Sequence, residues 1–281
     1  MPRFNSSFST SRQLAPDDSL ETSVRFLESR IPYRPEILIV LGSGLGAFAD
    51  KVEAATVVPY EEIPGFKSST APGHRGRLVV GKVAGKTVAL MQGRFHVYEG
   101  YTSRECAYPV EVLSGLGAKT LVATCAAGGI HEKYLVGDFV LVGDSINITY
   151  GSPLIGFDHT KYGERFIDMS DVFDKELRRK VKEQFPMLHE GVYFYMPGPQ
   201  FETLAEIRAI KALGGDLVGM SLVHEAVMAK RCGLSVLGIC LVTNFACGVG
   251  ETPPSENDVH TEGKKACVRF DKLLRAILPK L

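Results

Sequence analysis

The chain has 281 residues, 45% of them hydrophobic and 23% charged, which is enough apolar material for one large domain that buries most of its unfolded surface. Lysine plus arginine and aspartate plus glutamate each number 32, so no global field draws in nucleic acid or an anionic membrane; the expected partner is a small, locally bound ligand. No apolar run approaches the roughly 20 residues needed to span a bilayer, and the N-terminus lacks a hydrophobic signal core, so the expected location is the cytosol.

Residues 1–20 are serine-rich, carry Arg3 and Arg12 before any acid, and are expected to form a disordered tail, with a transit peptide as the alternative. Residues 21–281 read as one domain. Short β-branched runs predict strands over 36–42, 77–83, 86–92, 120–125, 138–144, 191–196 and 234–243. Helical patterns alternate with them over 104–116, 174–184, 203–213, 221–232 and 258–278, several closing at Gly117, Gly214 or Gly233. That alternation predicts an α/β fold, and strands apolar on both faces predict a sheet covered on both sides. Ligands of such sheets collect at strand ends, so polar residues there are the candidates. The six cysteines show no CxxC pair and no histidine at zinc-finger spacing, so reduced thiols are expected and no metal site.

Polar or glycine-rich turns follow the predicted strands one after another. Gly42-Ser43-Gly44-Leu45-Gly46 offers backbone amides and a hydroxyl to a phosphate, although it lacks the P-loop lysine, and Ala47 breaks the dinucleotide fingerprint. Pro72-Gly73-His74-Arg75-Gly76 brings an imidazole and a guanidinium to one loop. In Gln92 through Tyr101, strand alternation would put Arg94, His96 and Tyr98 on one face: a planar fork for phosphate oxygens, a second donor and a flat edge for a sugar. Thr124-Cys125-Ala126-Ala127-Gly128-Gly129 lets a ligand approach the backbone closely. Pro199-Gln200-Phe201-Glu202-Thr203 leads into a helix with Thr203 as its N-cap, Val218-Gly219-Met220-Ser221 brings a serine to a helix start, and Thr243-Asn244 ends an apolar strand. Singly, each is matched by a bland reading: a tight turn, a solvated histidine, a helix-start acid. Together they suit a phosphate, a sugar and a heterocycle.

In this order the motifs GSGLG, PGHRGR, MQGRFHVYEGY, AAGG, GPQFET, VGMS and VTN resemble the signature of the trimeric purine nucleoside phosphorylases, over residues 36 to about 245. The resemblance implies a single domain with a central twisted mixed β-sheet flanked by helices, a homotrimer with sites near the subunit interfaces, inorganic phosphate as co-substrate, and no metal or organic cofactor. It implies that Ser43, Arg94, His96, Ser221 and the backbone of Ala126 hold phosphate, with His74 beside it. Tyr98 and Met220 would contact ribose, and Phe166 would be lent to the neighbouring subunit's sugar pocket. Cys125, Ala127, Gly128, Phe201, Glu202, Val218, Thr243 and Asn244 would form the base pocket, Glu202 on the N1 edge and Asn244 facing N7. Asn244, Glu202 and His96 carry the implied catalysis.

The chain departs from that signature in several places. Cys125 stands where asparagine is usual, and Leu222 and His224 replace a threonine and a proline. Where the histidine for the ribose 5′-hydroxyl is expected, counting back from Gly263 gives Glu256, with His260 one helical turn later. Cys125, a weak donor, is expected to relax base discrimination. Asn244 favours 6-oxopurines, because a neutral amide adapts to N7 and O6; an acid there would point to methylthioadenosine, the runner-up substrate. A degenerate binding protein without turnover, and a nicotinamide-dependent dehydrogenase built on GSGLG, are the readings from other classes.

Overall fold

In the computed structural model, residues 18–157 and 164–281 are described. Residues 1–17 of the expected tail lie outside them, and a helix the periodicity did not suggest, α1 (Asp18–Arg30), begins inside the expected tail. The order continues β1 (Ile37–Leu41), β2 (Glu53–Pro59), β3 (Arg77–Val83), β4 (Lys86–Gln92), α2 (Ser103–Gly115), β5 (Thr120–Gly129) and β6 (Phe139–Ile146). Then follow α3 (Lys175–Gln184), β7 (His189–Tyr195), α4 (Leu204–Ala212), β8 (Leu217–Gly219), α5 (Val223–Arg231), β9 (Ser235–Phe245) and α6 (Glu256–Ile277).

Among the described residues the strands form one mixed nine-stranded sheet in the order β2-β3-β4-β1-β5-β8-β7-β6-β9, and β5 also pairs with β9. The unbroken run Ile37–Leu41 is explained by cover on both faces. Leu38 and Val40 enter the core packed under α2 and α5. Ile37, Ile39 and Leu41 enter the core under α3 and α6. Strand β2, exposed along most of its length and ending in a proline, lies at a sheet edge and carries no periodic signal.

Long strands β5 and β9 run parallel, with an irregularity between Ala127 and Gly128 that puts Gly128 opposite Asn244. There β5 changes partner, and Gly128 and Gly129 pair antiparallel with β8. The strand predicted to stop at Cys125 therefore continues through the small residues to Gly129, because their backbone finds partners on two sides. Helix starts behave as their sequences direct: Thr203 accepts from the Glu206 amide at 3.2 Å while Glu206 returns a bond to Thr203, and Ser255 does the same with Asp258. One close approach fixes the first turn of the site. Gly44, at φ +80°, sits against Gly263 of α6, where a Cβ would meet the Gly44 Cα at 2.5 Å.

Candidate active site

A cavity of about 490 Å³ opens where these strands end. Its wall contains Ser43, Arg94, His96, Tyr98, Ala126 to Gly128, Phe201, Glu202, Val218, Met220, Ser221, Thr243, Asn244, Glu256 and His260. The long-range contacts thus bring most of the candidates together, while Cys125, His74 and Phe166 are not part of the wall.

Strand β4 ends at Gln92, so Arg94, His96 and Tyr98 do not share a strand face as alternation suggested. Gly93, at φ +116°, turns the chain, and Glu99 closes a 3₁₀ turn over Val97–Glu99 by accepting from the His96 amide at 2.9 Å. Arg94 consequently plunges inward and is 1% exposed. Its Nε and Nη2 donate to the two Glu225 oxygens at 3.0 and 2.9 Å, and its Nη1 donates to Thr124 O at 2.7 Å and Ser221 Oγ at 3.2 Å. Glu225, on the first turn of α5, went unnoticed in the sequence because an acid on a mixed helix ordinarily reads as solvated.

His74 lies behind the wall, stacked on His96 with ring centroids 5.3 Å apart. Its Nδ1 accepts from the Arg94 amide at 3.3 Å, so in the neutral ring the proton sits on Nε2 and is donated to Ser43 Oγ, 3.3 Å away. The Ser43 hydroxyl proton is then free for an anion. Burial lowers the His74 pKa to about 3, which keeps the ring neutral. His96 is oriented likewise: Nδ1 donates to Glu99 Oε1 at 2.8 Å, leaving Nε2 for the cavity. Burial lowers the His96 pKa as well. At Glu99 burial acts upward, but hydrogen bonds from His96 and Thr70 outweigh it and hold the carboxylate at about 2. Tyr98 stacks on His96 at 4.5 Å.

Ser221 reaches the cavity through a strained turn. Leu222 has φ +69° and ψ −46°, and the Val223 amide donates to Ser221 O at 2.8 Å, a γ-turn of the rare hand. The Ser221 amide donates to Tyr193 Oη at 3.1 Å and the Val223 amide to Ser221 O, so neither is left for a ligand, while Ser221 lies in the cavity wall.

At the other group, the Phe245 carbonyl can only accept, so Asn244 must present Nδ2 to it, at 3.0 Å. Thr243 Oγ1 donates to Asn244 Oδ1 at 2.9 Å, and the second Nδ2 proton remains for a ligand. Glu202 is buried, and its burial raises the carboxyl pKa. On the first turns of α6, Glu256, Val259 and His260 share the face that lines the cavity. Phe166 is 85% exposed and outside the cavity wall.

The departures Cys125, Leu222 and His224 all lie behind the wall. Cys125 Sγ is 3.2 Å from Cys240 Sγ, its partner across the β5–β9 pair, and it hydrogen-bonds the Ser221 side chain. It therefore backs the Arg94 and Ser221 cluster and is not part of the cavity wall that contains Glu202 and Asn244. Cys125→Asn should change the inosine:adenosine:cytidine ratio of kcat/KM by less than about twofold, since no wall contact is altered. It should cost about 1–3 kcal/mol in urea denaturation by placing an amide among thiols. A tenfold change in the ratio would return Cys125 to the base pocket.

His224 packs edge-on against Tyr195 at 4.7 Å, and burial lowers its pKa to about 4. Unfolded, His74 and His224 titrate near 6.5, so the unfolded chain binds more protons below that pH. Stability present at neutral pH is then lost as pH falls from about 6.5 towards 4, by up to about 1.4 kcal/mol per pH unit for each histidine. Urea titrations between pH 7 and pH 5 read that slope, and His224→Asn should flatten it. A slope unchanged in that variant would exclude His224 as a source.

Among the described residues, no group of three or more His, Cys, Asp or Glu side chains is placed to hold a metal ion, and no helix is long and apolar enough to cross a membrane. Residues 36–279 match the profile of the Phosphorylase superfamily. The chain is 42% identical to purine nucleoside phosphorylase 1 of Geobacillus stearothermophilus, over 92% of this chain and 96% of that protein. The mouse purine nucleoside phosphorylase is also 42% identical, over 94% and 95%. The chain belongs to the purine nucleoside phosphorylase family. Among solved structures of that family, the Schistosoma mansoni enzyme in complex with adenosine superposes with a TM-score of 0.88 at 34% identity, covering 96% of this chain and 99% of that one. A second isoform from the same organism, solved with cytosine and ribose-1-phosphate, superposes equally well at 33% identity, covering 96% and 99%. The α/β family fold, with its mixed sheet and flanking helices, is the architecture described above.

Proposed function

We propose that this chain catalyses the reversible phosphorolysis of purine nucleosides, inosine and guanosine first among them, to the free base and (deoxy)ribose 1-phosphate. The observation that carries the reading is one cavity lined both by the Ser43, Arg94, His96 and Ser221 cluster and by Glu202 and Asn244. Phosphate is the nucleophile, so no side chain attacks; the protein positions and stabilises. Ser43 and Ser221 donate hydroxyl protons, Arg94 donates an N–H, and the Ala126 backbone is close. Neutral His96 offers the Nε2 lone pair, which suits a phosphate bearing a P–OH proton. Tyr98, Met220, Glu256 and His260 line the ribose.

As the glycosidic bond lengthens, the sugar becomes oxocarbenium-like and negative charge grows on the purine. The spare Nδ2 proton of Asn244 meets that charge at N7, already aimed by Thr243 and the Phe245 carbonyl. The Glu202 carboxylate accepts from N1–H, a donor that 6-oxopurines possess and adenine lacks. Phosphate then captures C1 with inversion. The reaction as derived uses no cofactor besides its co-substrate phosphate.

We place the enzyme in purine salvage in the cytosol, where its thiols stay reduced, and as a homotrimer. Exposed Phe166, which does not reach its own cavity, supports a site completed by a neighbouring copy; sedimentation of the purified protein checks the assembly. Purified protein incubated with inosine should release hypoxanthine only when phosphate is added. Release at the same rate without phosphate, or binding without release, would overturn the phosphorylase reading.

A further inference from the structure

Arg94 is the cation of the phosphate cluster, yet little of it remains for a ligand. A guanidinium has five N–H donors. Two of them are taken by the Glu225 carboxylate, and two more by Thr124 O and Ser221 Oγ. One Nη2 proton has no acceptor among these bonds. The ion pair itself is nearly dry, with side-chain exposures of 2% for Arg94 and 5% for Glu225. The nearby imidazoles of His74 and His96 are held neutral, and Glu99 adds a carboxylate beside them. The cluster therefore offers an anion directed donors without net positive charge.

We propose that Glu225 is a positioning residue that sets phosphate affinity: it locks the Arg94 fork in place and cancels its charge. Phosphate is then held by hydrogen-bond geometry, which keeps it exchangeable in both directions of a reversible reaction. Attraction to a bare buried guanidinium would bind phosphate, and ribose 1-phosphate equally, far more tightly. The inference rests on phosphate being the ligand of this cluster, as proposed above.

Glu225→Gln removes the charge and keeps the shape. Phosphate KM should fall about tenfold or more, because a carboxylate no longer opposes the anion at short range in a poorly screened site. Inosine KM should stay within about twofold, since Glu225 is not part of the base wall. A merely structural role predicts the reverse sign, a raised phosphate KM from a loosened Arg94, and that result or an unchanged KM would overturn the proposal. Unpaired buried Arg94 destabilises Glu225→Gln, so the same question is asked of Arg94→Gln against the double variant Arg94→Gln/Glu225→Gln, whose two amides form a neutral pair. The double variant should bind phosphate more tightly than Arg94→Gln, where an uncompensated Glu225 repels the anion; equal or weaker binding would overturn it. Binding is read by the rise in Tm with added phosphate as well as by KM. Wild-type protein that fails to release hypoxanthine would count against the phosphorylase reading alone, because the Tm comparison does not depend on turnover.

Discussion

Replacing Asn244 with alanine should lower kcat for inosine by on the order of 10² to 10⁴, the range for losing a donor or proton partner at a developing charge. Two of the three partners of this amide are protein groups that only orient it: Thr243 fixes the oxygen and the Phe245 carbonyl fixes the nitrogen. The remaining proton is thus aimed before substrate arrives, and a preorganised donor contributes more in the transition state than in the ground state. The loss should therefore appear in kcat more than in inosine KM. Asn244→Asp keeps the shape but removes the donor and adds a charge facing the growing negative charge on the base, so it should be at least as slow. Steady-state rates of both variants with saturating phosphate test the assignment. Near-normal turnover by Asn244→Ala would remove this residue from the mechanism.

Arg94→Ala should be the most damaging substitution for the fold of the site. It deletes the proposed phosphate donor and leaves the Glu225 carboxylate buried without its cation, a change that typically costs about 3–5 kcal/mol. Thr124 O and Ser221 Oγ lose a partner in the same step. The expected result is a loss of about that size in chemical denaturation together with a large rise in phosphate KM. Arg94→Ala/Glu225→Ala should recover part of the stability while phosphate binding stays weak, since the cavity left behind still costs packing. If the single variant were as stable as wild type, the Arg94 to Glu225 pair would not be the buried contact described here.

The three departures that made base preference look uncertain in the sequence have a common physical account. Cys125 alternates away from the cavity on β5, Leu222 is consumed in a γ-turn, and His224 points into the core beside Tyr195. Glu256 differs from them because it lies in the wall, at the first turn of α6, beside Tyr98. Of the departures from the family signature, Glu256 is therefore the one that puts a different chemical group, a carboxylate, into the cavity wall, where the His260 imidazole also stands.

The sequence by itself determined the α/β class, most strands, most helix starts and most of the residues that line the cavity. These are local matters: continuous β-branched runs mark strands covered on both faces, Thr203 with Glu206 closes a capping box, and short polar turns after strands fall where such sheets bind ligands. Helix α1 and edge strand β2 escaped because a mostly polar helix and an exposed strand carry weak periodicity. Only the tertiary structure decided what each polar group in the wall does. A hydrogen-bonding role is set by partners far away in the chain: His74 takes its tautomer from the Arg94 amide, Arg94 spends its donors on Glu225, and Cys125 meets Cys240 across a strand pair. Residue type and spacing fix which atoms are available; the register of β5 on β9 and the turn at Gly93 fix which of them remain free for the ligand.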